Sequence, residues 1–455
     1  MTSTDATATT PLLAPAYRWS TIGMVGLVFL FAFEAMAVTT IMPTVSADLE
    51  GRSWYSATFS VTLASSIVGM VAAGIWADRR GPRAPMVASA AVFGAGLLAA
   101  GLAPGIEVFV AARFLQGLGG GAATVALYVL VARIYEPVDH PRMFGAFAAA
   151  WVIPSMVGPT VAGVVAETVG WRWVFLGVVG LAAAATAMLR PALRDVLDRP
   201  EPSPVASVRR LLLATVVAAA VVGVDLAGRA DAPTAYVAAA AGLALLLVAV
   251  RPLLPVGTLL AGRGLPSVVG LRGIISATFF ATEIYVPYLL QEQYGLAVWL
   301  SGAALTVGAL GWAAASQVQA RLGAALANLA ALRRGSLLLL AGIGLVLATA
   351  ALQLPWWLVA VAWVVAGSGM GLMYPRIGIS VLEASTEADQ GANTAAMSIA
   401  DAAGGATAIS LTGLLFTGVG TAADLGPFVA VLAMTTGLAV AAVAVARRTA
   451  VVSTP

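Results

Sequence analysis

Gly74-Ile75-Trp76-Ala77-Asp78-Arg79-Arg80-Gly81-Pro82-Arg83 joins two long apolar runs, residues 58–77 and 84–103. A helix needs about 20 apolar residues to cross the hydrocarbon of a bilayer, and each run supplies that length. A basic turn between two such runs is a membrane hairpin whose turn faces the cytoplasm, where arginine concentrates. Asp78 stands at the C-terminal end of its helix, where the dipole disfavours an anion, so it needs an arginine or another helix's N-terminus as partner.

The pattern extends in both directions. With apolar runs at 20–42, 108–134, 144–166 and 173–189, the hairpin forms a first block of six. RPALRDVLDRPEPSPVASVRR, at 190–210, is rich in Pro and charge and reads as a linker. Two further runs follow at 211–228, barely long enough to span, and 234–250. A second block of six occupies 266–290, 298–318, 336–354, 356–374, 391–416 and 425–446. The expectation is an all-α integral membrane protein of fourteen spans in the cell membrane. It divides into a cytoplasmic tail at 1–19, a six-helix bundle at 20–189, the linker, two extra helices at 211–254 packed outside the bundles, a second six-helix bundle at 265–446 and a cytoplasmic tail at 447–455.

Composition excludes the main alternatives. Charged residues make up 10% of the chain and hydrophobic ones 60%, against about 25% charged in a soluble domain. There is no cysteine, which removes disulfides and thiol chemistry. With a single His and no acidic cluster, no metal site, cofactor, nucleic-acid surface or catalytic constellation is expected, and the chain is not read as an enzyme. The first twenty residues lack a basic region followed by a cleavage site, so no signal peptide is expected. All basic residues are arginine, and they test the topology. With both termini inside, the cytoplasmic set includes Arg79, Arg80, Arg83, Arg142, Arg199, Arg209, Arg210, Arg333 and Arg334, and with them Arg272 and Arg376; only Arg52, Arg172 and Arg229 fall outside.

Several segments resemble one family. The loop at Gly74, Asp78, Arg79, Gly81 and Arg83 is similar to the signature G-x-x-x-D-R-x-G-R-R/K of the major facilitator superfamily, departing at Pro82. The resemblance implies two six-helix bundles around a central cavity and a loop that latches the cytoplasmic side, Asp78 meeting the helix that begins near Gly391. Gly74 is expected to let helices approach closely. Arg113-Phe-Leu-Gln116-Gly117 resembles the R-x-x-Q-G signature of proton-coupled members. An arginine that deep in a span must face a cavity and a partner or snorkel to the headgroups. Pro154, Gly158, Pro159 and Gly163 resemble the antiporter signature, which implies export, with Pro154 and Ala162 replacing two glycines. Phe29-Leu-Phe-Ala-Phe33-Glu34 through Pro43 is similar to the first-span signature of drug antiporters, with Glu34 in place of Asp.

A carboxyl that cycles between charged and neutral forms is what proton coupling requires, since desolvation and nearby arginine act on it in opposite directions. The acids inside spans are Glu34, Asp225, Glu283 and Asp401. Glu34 is expected to be the principal proton carrier, an isolated group among Phe and Ala that Arg113 reaches only when the cavity opens outward. Glu283 is expected to serve cation recognition or a second proton, Asp401 to take part in proton coupling or to form a gate contact, and Asp225 to lie at the outer interface. Phe33, Gln116, Phe279, Phe280, Tyr285 and Tyr288 are the expected cavity wall, suited to amphipathic cations. The sequence therefore predicts a monomeric, proton-driven exporter of drug-like small molecules embedded in the lipid bilayer; a dedicated lipid or natural-product exporter is the alternative.

Overall fold

The computed structural model describes residues 12–15, 17–195, 206–228, 232–386 and 389–450. The middle of the expected linker with Arg199, the turn with Arg229 and most of both tails lie outside the described residues. Among the described residues sixteen α-helices follow in order: α1 (Arg18–Asp48), α2 (Ala57–Arg80), α3 (Arg83–Gly101), α4 (Ile106–Ile134), α5 (His140–Thr168), α6 (Arg172–Met188), the short α7 (Arg190–Asp195), α8 (Ala206–Ala227), α9 (Ala232–Val250), α10 (Leu265–Glu283), α11 (Tyr285–Glu292), α12 (Val298–Leu322), α13 (Asn328–Ala351), α14 (Trp357–Glu383), α15 (Gln390–Val419) and α16 (Leu425–Ala446). No strand occurs among the described residues.

Among the described residues thirteen helical segments are long and apolar enough to cross a membrane, with α10 and α11 counted as one; α6 is a shorter apolar helix of 17 residues. The break between α10 and α11 has a local cause. Pro287 has no N–H to give the carbonyl of Glu283, so the helical ladder is interrupted there. Gly81 closes α2 with φ of 74°, a conformation that other residues adopt only under strain, and α3 starts two residues later.

Helices α1–α6 pack on one another, as do α10–α16, giving two halves. The halves meet along two seams, α5 against α12 and α2 against α15. Helix α8 lies over the second seam, touching both α2 and α15, and α9 packs on α8. The tight contact of α2 with α4 is made by Gly69, Gly117 and Gly121, where a Cβ would run into the partner backbone. Gly74 is not part of it: its nearest neighbour is a Val125 methyl at 3.9 Å, an ordinary contact, so the close approach expected there occurs higher on the helix.

Two arginines depart from the loop set. Arg272 lies within α10 and Arg376 within α14, and both are buried. Arg376 binds the Gln319 side chain at 2.6 Å, Asn328 Oδ1 at 3.1 Å and the carbonyls of Gln319 and Gly323 at 2.9 and 2.8 Å, fastening the α12–α13 turn to α14. Helix α14 runs through Pro375 and past the expected end at 374 because these bonds satisfy the arginine inside the protein.

The contacts across the seams gather at one end, remote from the arginine-rich loops. Gln291 donates to the Thr40 carbonyl at 3.1 Å, and the backbone N–H of Val298 donates to Glu167 at 2.7 Å. Thr160 meets Thr306 at 3.4 Å, Tyr55 donates to the Ile284 carbonyl, and Arg52 pairs with Glu292 at 3.5 Å. Tyr55, Tyr285, Tyr288, Phe416 and Phe428 form an aromatic plug there, with Tyr55 stacked on Tyr288 at 4.4 Å. At the arginine-rich end Asp78, Arg79, Arg80, Arg83, Gln390 and Gly391 are exposed, and Asp78 has no hydrogen bond or ion pair among the described residues. The molecule is shut at one end and parted at the other.

Candidate functional site

Each half holds an acid–arginine pair between its helices. In the first, Arg113 of α4 turns inward, its Nη1 donating to both Glu34 Oε1 of α1 and Gln116 Oε1, while its Nε donates to the Thr58 carbonyl at 3.1 Å. Glu34 is 6% exposed and Arg113 3%. Gln116 keeps its orientation from the helix turn it shares with Arg113, and its Nε2 has no partner. Glu34 is therefore not the isolated carboxyl expected from its neighbours in sequence. Arg113 neither snorkels nor waits for the closed end to open. Side chains that are 79 positions apart meet because α1 and α4 converge on the middle of the first half.

The second cluster has one member that sequence reasoning misplaced and one that it missed. Arg272 donates from Nε to Asp401 Oδ1 at 2.7 Å, and Tyr374 donates to Asp401 Oδ2 at 3.0 Å. The guanidinium also stands 3.1 Å from the Tyr374 ring centroid, a cation–π contact. The missed signal was available: Arg272 falls inside the run at 266–290, where an arginine needs a partner. Asp401, expected as a gate contact, joins α15 to α10 and α14.

Glu283, at the end of α10, is 8% exposed and has no hydrogen bond or ion pair among the described residues. Of the expected cavity residues, Phe33 and Phe280 are partly exposed. Phe279 is not: it stacks on Trp363 at 4.6 Å in the core of the second half. Tyr285 and Tyr288 belong to the aromatic plug at the closed end and are buried there, not on a wall between the halves. Trp312, which the sequence reading passed over, stands edge-on to Phe279 at 5.4 Å and to Tyr374 at 5.2 Å, extending an aromatic wall to the Arg272 cluster.

The residues of the expected antiporter motif sit on the α5 face that meets α1 and α12. Helix α5 continues through Pro154 and Pro159. Gly158 lies against Phe33 at 3.5 Å, and a Cβ on Gly163 would collide with the Trp299 backbone. Glu167, one turn further, accepts from the first N–H groups of α12, where a helix N-terminus favours an anion.

An acid–arginine pair within each of two packed halves, inside a body of membrane-length apolar helices, is the making of a multi-pass membrane transporter. Comparison with known proteins specifies which kind. The chain belongs to the Major Facilitator Superfamily, whose family model matches residues 24–408. Two strains of Mycobacterium tuberculosis each hold a relative described as a probable multidrug-efflux transporter, 26% identical over 423 residues, covering 89% of this chain and 88% of the relative. An uncharacterized MFS-type transporter of Mycobacterium tuberculosis is 33% identical over 178 residues, 37% of this chain. Among solved structures, an auto-inhibited peptide transporter of the POT family superposes with a TM-score of 0.71 at 15% identity, covering 96% of this chain and 99% of that one. That likeness concerns the fold.

Proposed function

We propose that the chain exports amphipathic, cationic, drug-like small molecules in exchange for protons, by alternating access across the cell membrane and as a monomer. The observation that carries the reading is the Glu34–Arg113 pair, buried at the centre of the first half. The arginine-rich end is cytoplasmic by charge asymmetry, both termini with it, and α6 completes fourteen crossings. The state described is then closed to the outside and parted to the inside.

The pair supplies a coupling device. Removing one charge of a buried pair leaves the other without compensation, which costs about 3–5 kcal/mol in comparable sites. Protonating Glu34 would leave Arg113 with only Gln116 and the Thr58 carbonyl, so proton binding favours a rearranged state in which Arg113 is better served. Glu283, buried and unpartnered, offers a carboxyl that a cationic substrate would hold ionised. Phe33, Phe280 and Trp312 offer apolar area and ring faces, and Gln116 Nε2 offers a free donor. The relatives described as multidrug-efflux transporters support export as the direction. No cofactor is needed, since the proton gradient does the work.

Purified protein in liposomes carrying an imposed pH gradient tests this. A fluorescent lipophilic cation should accumulate on the acidic side, and a protonophore should release it. Accumulation that ignores the gradient would defeat the proton-coupled reading.

A further inference from the structure

Helix α8 belongs to neither half, yet it brings a buried carboxyl to their seam. Asp225 is 9% exposed. Its Oδ2 accepts from Ser60 of α2 and, at 2.8 Å, from Ser410 of α15; its Oδ1 accepts a longer bond of 3.4 Å from Ser56, which precedes α2. One carboxyl on a third unit thus ties the two halves together at the closed end. The backbone is shaped for it. A Cβ on Gly413 would collide with the Ser56 side chain, so glycine is what lets α15 come this near to α2.

A small pocket lies beside the cluster, lined by Arg52, Ser53, Tyr55, Ser56, Tyr285 and Gly413 among others. Its volume of about 10 Å3 is room for about one water. Ser56 is both a wall of this pocket and a donor to Asp225, so a single hydroxyl joins the pocket to the carboxyl.

We propose that Asp225 is a second proton-binding site, reached from the outer face through this pocket, and that its charge state governs whether α2 and α15 stay together. A hydronium ion gives its proton to a carboxylate oxygen and leaves as water; the ionised form is restored by the reverse transfer. Ionised, Asp225 accepts strong charge-assisted bonds from serines of both halves. Protonated, it loses acceptor capacity and the charge that strengthens those bonds, and the clasp weakens. The titratable and charged groups on the pocket beside it include Arg52 and Tyr55 ahead of α2 and Tyr285 on α11, with Tyr288 stacked on Tyr55. Glu292, paired with Arg52, and Glu283, two residues before Tyr285, are further carboxyls in this region. The inference rests on the preceding reading only in taking the closed end as the outer face.

The absence of cysteine makes the test direct. Glu50→Cys and Val419→Cys place one spin label on each half at the closed end. In otherwise unaltered protein the label distance should lengthen between pH 8 and pH 5. Asp225→Asn should hold the long distance already at pH 8 and respond little to pH. Ser410→Ala, which keeps the carboxyl, should shift the same way by a smaller amount, and it decides the matter if Asp225→Asn does not fold. Glu292→Gln should keep the pH response. An Asp225→Asn or Ser410→Ala protein that tracks the parent at every pH overturns the proposal, as does a response lost in Glu292→Gln. Either failure leaves the vesicle result for Glu34-dependent transport standing on its own.

Discussion

Glu34 and Arg113 show how much a single side chain's meaning depends on a partner elsewhere. The sequence marks both, because charges inside apolar runs are costly and need a reason. It does not pair them, since α1 and α4 meet only in the folded bundle. Replacing Glu34 with Gln keeps the shape and removes the charge. Proton-driven accumulation should be lost, while binding of a fluorescent cation, measured by quenching in detergent, should stay within a few-fold of the parent. Replacing Arg113 with Ala should destabilise the protein by about 3–5 kcal/mol, because Glu34 is left buried without its cation. The double variant should be less damaged than Arg113→Ala alone. Wild-type pumping by Glu34→Gln would move the coupling role to Asp401 or Glu283.

Among the elements, the α12–α13 turn illustrates a role invisible in the chain. Arg333, Arg334 and Arg376 read alike as basic residues at a membrane surface. Folding distinguishes them: Arg376 reaches back from α14 to bind two carbonyls and two side chains. Arg376→Ala should lower stability by about 1–3 kcal/mol, the cost of leaving buried acceptors unpaired. Arg376→Lys should recover only part of this, since lysine lacks the planar fork. Thermal unfolding in detergent measures both, and an unchanged melting curve would mean that packing alone holds the turn. The α5–α12 seam is a comparable case. Its glycines and prolines stand out in the sequence, but that Gly163 meets the Trp299 backbone depends on the second half docking against the first.

For the molecule as a whole, one end offers a precedent for the other. At the closed end Glu167 caps the start of α12 from the opposite half. At the parted end Asp78 lies exposed, and the start of α15, at Gln390, is the corresponding helix N-terminus. Closure of the cytoplasmic side should bring these two together for the same electrostatic reason. Asp78→Asn should therefore stay folded and lose transport, with labels at Arg80→Cys and Gln390→Cys remaining far apart when substrate and a pH gradient are supplied. Normal turnover in that variant would show the loop to be a topogenic anchor and nothing more.

By itself the sequence determined the membrane location, the two blocks of apolar segments with an extra pair between them, the family, and the few charges that demand a function. These follow from local quantities, the length and polarity of each run and the cost of a charge within it. Only the tertiary structure decided which charges meet. It joined Glu34 to Arg113 and Asp401 to Arg272, withdrew Tyr285 and Tyr288 into a plug, and set Asp225 between α2 and α15. Those pairings arise from helices brought side by side across 79 to 185 positions of chain, and no local pattern encodes such a distance.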